Sequence, residues 1–147
     1  MENINSDIQI IGFKLNEEEY ALEISNVQEI IKIPVITRVP RAKNYILGVV
    51  NLRGIVIPVI DLNIRFGKGK TGEIDKKRVI ILKIGTISIG ILVDSVSEVI
   101  DVSSKEIIAN PTITSSMNQE FLKGVCKIAD ERLLTLLDIE KTLEIKA

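Results

Sequence analysis

Residues 46–62 read ILGVVNLRGIVIPVIDL. Two runs rich in Val and Ile flank Arg53-Gly54, and β-branched side chains fit a pleated, half-buried surface better than a helix. The stretch predicts a hairpin, Leu47 to Leu52 returning as Ile55 to Ile60, with the reversal at a glycine that can take positive φ. Pro58 has no N–H to give to a ladder, which places it at an edge or a bend. At Asp61 the pattern changes. DLNIRFG sets an N-cap carboxylate before one or two helical turns and Gly67 at their stop.

The same chemistry extends in both directions. Upstream, Ile8 to Leu15 and Glu19 to Ile24 read as strands around the polar turn Asn16-Glu17-Glu18; Tyr20, Leu22 and Ile24 alternate with Glu19, Ala21 and Glu23, giving one apolar and one wettable face. Val27 to Val39 is β-branched throughout but interrupted by Pro34, an edge or bulge signal. Downstream, the glycine-rich stretch Gly67 to Lys77 reads as an exposed loop, followed by strands at Arg78 to Ile84, Ile87 to Val93 and Val96 to Val102. Ser103 to Gln119 reads as connection, with a short helix around Phe121 and strands near Val125 and Leu133 after it. The tail DIEKTLEI has Asp138 as an N-cap and Ile139 and Leu143 at helical spacing, so a C-terminal helix docks by that stripe. With 28 Ile and 13 Val in 147 residues, the composition is that of an all-β chain.

An internal repeat organises these strands. Tyr20, Leu22, Ile24, Val27, Glu29, Ile30 and Ile31 correspond at constant offset to Ile89, Ile91, Val93, Val96, Glu98, Val99 and Ile100. Gly48-Val49 answers Gly124-Val125, and Asp61-Leu62 answers Asp138-Ile139. The copies run over about 8–66 and 78–145. Each, with about five short strands, has too little apolar surface to stand alone, so two small five-stranded barrels packed on a shared core are expected.

Composition removes many functions. Nineteen basic against twenty acidic side chains give a charge of -1, which supplies no net field for phosphate backbones or anionic lipid. The chain has no His and one Cys, Cys126, which removes His-based acid–base work, Ser-His-Asp and Cys-His nucleophiles, Cys/His zinc clusters and an intrachain disulfide. MENINSDIQI lacks the features of a signal peptide, and no apolar run approaches the roughly 18 residues of a membrane span. The chain is read as cytoplasmic and not an enzyme, and no cofactor is expected.

Several motifs fail on context. Gly67 to Gly72 spells G-x-G-x-x-G, but a dinucleotide fingerprint follows a strand and opens a helix, and Ile64 stands where a phosphate loop needs its first glycine. The basic cluster Lys76-Lys77-Arg78 with Lys68 and Lys70 is interrupted by Glu73 and Asp75, and of the exposed aromatics that stacking on bases needs it has only Phe66 as a neighbour. Glu17-Glu18-Glu19 alternates in direction and makes a poor cation cage. Cys126 reads as a small core residue. Glu29 and Arg53 each interrupt an apolar segment, and such charges are either solvated or paired with each other, arginine being well suited to bidentate capture of a carboxylate.

VQEI at 27–30, ITRVP at 36–40, ILGVVNLRGIVIPVIDL at 46–62 and SIGILVDSVSEVI at 88–100 resemble the CheW family of bacterial chemotaxis coupling proteins. The resemblance covers almost the whole chain, a single module over 1–147, and its NLRG hairpin followed by IPVIDL is specific. It implies two small five-stranded β-barrels of SH3-like or OB-like topology, as swapped tandem copies with strands exchanged between barrels. It implies binding without catalysis: bridging methyl-accepting chemoreceptors to the histidine kinase CheA, through its regulatory domain, at membrane receptor arrays. Glu29, Gly48, Asn51 and Arg53 fall on the family's functional motif. Val27, Gly90 and Val99 match positions the family associates with partner binding. At the glycines, close approach of a partner and a β-bulge are equal explanations. On this resemblance no receiver domain is expected, unlike the fused CheV type. A small-barrel nucleic-acid or small-ligand binder is the other reading, and it differs by a steep salt dependence of binding.

Overall fold

The runs RVIILKI and ISIGILV do not alternate, and in the computed structural model both are buried on two faces. Strands covered from both sides read as continuous apolar runs, and that condition governs the architecture. The structure describes residues 7–67, 74–108, 122–128 and 132–143. The strands are β1 (Asp7–Leu15), β2 (Glu18–Glu23), β3 (Val27–Ile31), β4 (Ile46–Leu52), β5 (Ile55–Asp61), β6 (Arg78–Ile84), β7 (Ile87–Val93), β8 (Ser95–Ser103), β9 (Ile107–Ile108), β10 (Leu122–Ile128) and β11 (Arg132–Leu137). Two short helices, α1 (Leu62–Arg65) and α2 (Ile139–Leu143), follow β5 and β11. Both are capped as expected. Asp61 Oδ1 accepts from the Ile64 N–H (3.3 Å) and Asp138 Oδ1 from the Lys141 N–H (3.1 Å). Ile139 and Leu143 of α2 are buried.

The strands form two sheets. One has the order β8-β1-β2-β11-β10-β9 and the other β3-β6-β7-β5-β4. Strands distant in sequence mix in both: the β1–β2 hairpin sits between β8 and β11, and the β6–β7 hairpin between β3 and β5. Each hairpin joins its sheet by a parallel ladder on one side, β2 on β11 and β7 on β5, and by an antiparallel ladder on the other, β1 on β8 and β6 on β3. The chain changes sheet at the 3-10 turn Ile24–Asn26 and again at Asp94. Asp94, only 6% exposed, accepts from the Asn16 N–H (2.6 Å) and from Asn63 Nδ2 (2.9 Å), while its own N–H donates to the Lys14 carbonyl (3.0 Å). One carboxylate thereby ties the β1–β2 turn, α1 and the second crossing together. Two ionic or polar partners at a buried carboxylate are what its desolvation demands.

Alternation sorts side chains among three clusters. Phe13, Leu15, Tyr20 and Leu22 from one sheet meet Ile80, Leu82, Ile84 and Ile91 from the other in the shared core. Ile10, Ala21, Val102, Cys126 and Leu134 form a second cluster on the other face of the six-stranded sheet, and Val50, Ile57, Val59, Val79 and Ile81 a third on that of the five-stranded one. Burying a Leu or Ile side chain contributes about 1.5–3 kcal/mol, so the shared cluster dominates cohesion between the sheets.

Several expectations change. One sheet has six strands rather than five, because Ile107–Ile108 adds a short ladder on β10; its counterpart in the other sheet is the single bridge of Thr37 to Val49. Among the described residues no ladder joins the end strands of either sheet. The strand expected over Val27 to Val39 stops at Ile31, ahead of Pro34. The face of β2 that carries Ala21 is not wet at its centre: Ala21 is fully buried, since β2 is covered on both sides there. Residues 68–73, holding most of the expected glycine-rich loop, lie outside the described residues, as do 109–121 with the expected helix around Phe121.

Candidate functional site

Leu52 pairs with Ile55, leaving Arg53 and Gly54 as a two-residue turn with φ of 52° and 88°. Positive φ at both positions is the type I′ geometry that matches strand twist. It is common for the glycine and unusual for arginine. The Asn51 side-chain oxygen accepts from the Gly54 N–H (2.8 Å) and fixes the tip from two residues before Arg53. Pro58 stands one residue before the parallel ladder on β7 begins at Val59, so its missing N–H costs no ladder bond.

The tip reaches across the sheet. Arg53 makes a two-pronged pair with Glu29 of β3, Nη2 donating to Oε2 and Nη1 to Oε1. β3 and β4 are the two end strands of their sheet, so the pair connects one edge to the hairpin at the other. Hydrogen bonding to Glu29 raises the Arg53 pKa further above its ordinary value, and the guanidinium stays charged. Its side chain is 67% exposed and that of Glu29 27%. A contact so open to water adds little to stability, and its effect is to fix a charge and a shape at the surface. Beside it, Ile55 and Val56 are 58% and 64% exposed, and Ile30 of β3 is also exposed.

The six-stranded sheet builds a related end. Arg132 opens β11 and donates to Glu19 from Nη2 (2.7 Å) and Nε (3.0 Å), and to Glu98 from Nη1 (3.5 Å). Glu98 is the repeat partner of Glu29. Arg132 is not the partner of Arg53: Ile128 pairs with it as Leu52 pairs with Ile55. Val99 and Leu133, next in sequence to Glu98 and Arg132, are exposed.

Of the seven residues singled out in the sequence, six lie in the five-stranded sheet. Val27 is half-buried against the shared core, while Glu29, Asn51 and Arg53 converge at the hairpin end. Gly48 is buried beneath the backbone of Thr37, with which Val49 exchanges two hydrogen bonds of 2.8 Å. A Cβ at Gly48 would stand 2.1 Å from the Thr37 carbonyl oxygen, so close approach of the chain's own backbone requires this glycine. Gly90 is buried as well, and its Cβ would meet a Val79 methyl at 2.9 Å. Val99 belongs to the other sheet and is exposed. The sequence reading missed Arg132, although the repeat itself points to Glu98. It also missed the exposed Ile55, Val56 and Leu133, which read as core because they interrupt nothing.

Among the described residues no group of three or more His, Cys, Asp or Glu is placed to hold a metal, and no helix is long and apolar enough to cross a membrane. Cys126 is fully buried, and burial pushes its thiol up to about 11.

The family described as the CheW-like domain matches residues 9–147. The chain is 37% identical over 135 residues to the chemotaxis protein CheW of Klebsiella aerogenes, spanning 92% of this chain and 81% of that one. It is 35% identical over 141 residues to CheW of Bacillus subtilis, spanning 96% and 90%. The crystal structure of the scaffolding protein TtCheW from Thermoanaerobacter tengcongensis superposes with a TM-score of 0.87 at 36% identity, covering 96% of this chain and 95% of that chain. The sequence motifs, the two-sheet fold and these likenesses agree, and the chain belongs to the CheW family.

Proposed function

We propose that this chain is a chemotaxis adaptor that couples methyl-accepting receptors to the histidine kinase CheA by non-covalent binding at membrane receptor arrays. The observation that carries the reading is the hairpin end: a charge pair fixed by a rigid type I′ turn, with Ile55 and Val56 exposed beside it. An apolar patch rimmed by a preorganised ion pair suits a protein partner. On this reading each curled sheet with its inner cluster is a small SH3-like barrel. The Glu29–Arg53 pair helps to draw the edges of one together, and the two repeat copies act as one module.

Glu29, Asn51, Arg53 and Val27 then contribute to the partner surface of one barrel, and Val99 to that of the other. Gly48 and Gly90 act indirectly, by allowing the backbones beneath those surfaces to approach. Signalling passes through contacts that differ between two states of the kinase, and the adaptor needs no covalent step.

Calorimetric titration tests this. The wild-type chain and Arg53→Glu are titrated into the regulatory domain of the cognate CheA and into a receptor-tip fragment. Saturable binding of wild type to both, with at least one interaction lost in Arg53→Glu and recovered when Glu29→Arg is added, is the expected result. Absence of heat with either partner at several temperatures would overturn the reading.

A further inference from the structure

All six arginines of the chain lie within the described residues, and four of them have acceptors. Arg53 and Arg132 pair with carboxylates, Arg65 donates to the Thr142 carbonyl (2.9 Å), and Arg78 donates to the carbonyls of Asp75 and Lys77. Arg38 and Arg41 have no acceptor among the described residues. They stand three positions apart on the segment between β3 and β4, and Lys43 follows. All three are exposed.

That segment is held in place. The Thr37–Val49 bridge anchors its start, and the Ile46 N–H donates to the Lys43 carbonyl (3.0 Å) at its end. Arg41 sits at a φ of 64°, an uncommon conformation for a side chain of that size. The segment lines a cleft of about 380 Å³ that carries these three cations and no carboxylate. An adjoining cleft of about 360 Å³ shares Arg38, Asn44, Ile46 and Leu47. Val39 and Pro40 add apolar surface between the charges. The chain as a whole carries -1, so this is a local concentration of positive charge and not part of a general field.

We infer that the Arg38–Leu47 segment is a second docking surface, for an acidic segment of a protein partner whose carboxylates are taken by Arg38 and Arg41 and whose apolar side chains lie against Val39, Ile46 and Leu47. Guanidinium groups match carboxylates in a two-pronged geometry. A bare oxyanion would satisfy the cations and leave the apolar floor unused, which favours a peptide carrying both kinds of side chain. The surface is separate from the Glu29–Arg53 pair, and the inference does not depend on the identity of the adaptor's partners.

Amide chemical shifts of the full chain test it, with a short synthetic peptide of glutamate and leucine as probe, its glutamine-for-glutamate analogue, and inorganic phosphate. The glutamate peptide is expected to shift the amides of residues 38–47 saturably. Arg38→Glu together with Arg41→Glu should weaken binding roughly tenfold or more. Arg41→Gly suits the positive φ, so its weaker binding cannot be ascribed to misfolding. Arg53→Glu should leave this binding unchanged. Absence of shifts in the segment, equal binding of the glutamine analogue, unaltered binding by the double variant, or saturable phosphate binding without peptide binding would each overturn the inference.

Discussion

The β4–β5 and β10–β11 hairpins occupy the same place in the repeat but hold their arginines differently. In the first, a two-residue turn carries Arg53 at its tip, where it meets one carboxylate from the far edge of the sheet. In the second, the connection between strands is three residues long and the arginine lies in the strand, where Arg132 meets Glu19 of the neighbouring β2 and Glu98 of the edge strand β8. Arg132 is half as exposed as Arg53, at 33% against 67%. The difference separates two tasks. A charge held between two strands by two carboxylates braces its sheet, whereas a charge displayed on a turn is available to something outside the molecule.

The strongest way to break the comparison is at the glycines beneath the two hairpins. Gly48 faces the Thr37 carbonyl oxygen, with a Cβ placed 2.1 Å away and a φ of 152°. Its repeat partner Gly124 faces the Ile108 carbonyl oxygen, with a Cβ at 2.7 Å. Gly48→Ala is expected to cost about 3–5 kcal/mol, because backbone on both sides must move. Gly124→Ala should cost about 1–3 kcal/mol, since it displaces only the two-residue strand β9. Urea unfolding midpoints measure both, and equal losses would show that the backbone contacts at the two glycines are equally rigid.

A smaller effect separates the arginines themselves. Arg132→Gln should lower the melting temperature at low salt and less so in concentrated salt, because its three hydrogen bonds brace β11 against β2 and β8. Arg53→Gln should leave melting unchanged while altering partner binding. The reverse ranking would remove the division of tasks drawn above.

The smallest effect lies at Cys126, which fills in β10 the place that Val50 fills in β4, both buried. Cys126→Val is nearly volume-conserving and should change stability by less than about 1.5 kcal/mol near neutrality. Above that the two proteins diverge. The folded thiol titrates at about 11, against about 8.5 when unfolded. Its contribution is therefore complete below about pH 8.5 and lost as pH rises through about 11. The valine variant should show a shallower alkaline decline, read from unfolding midpoints across pH 8 to 11.

Local structure was largely legible in the residues. Arg78 to Ile84 and Ile87 to Val93 end where Gly85 and Asp94 end them, and the 46–61 hairpin matches within a residue because its turn chemistry is local. The pairing of Glu29 with Arg53 was one of two readings left by charges inside apolar runs. What local pattern does not carry is which hairpin each sheet receives. β1–β2 and β6–β7 are both antiparallel hairpins, and the cluster that gathers Phe13 and Leu22 with Ile80 and Leu82 joins residues too far apart in sequence for any local pattern to announce it. Arg132 and Glu19 lie 113 positions apart and share no motif. Exposure of Val56 was equally hidden, because a hairpin extending beyond the β5–β7 ladder, which begins at Val59, leaves apolar residues uncovered without changing their pattern.

The exchange of hairpins also fixes an order in time. Every strand of the five-stranded sheet lies between residues 27 and 93, so that sheet has all its parts once Val93 has left the ribosome. The other sheet needs residue 7 and residue 137 together. The first hairpin made is therefore among the last to be enclosed, and until β11 emerges it has no neighbour on its β2 side. Long-range closure of this kind slows folding and leaves an apolar edge open meanwhile. The most vulnerable moment in the life of this molecule falls between the synthesis of Val93 and that of Leu137, when one half is finished and the other is waiting for its last strands.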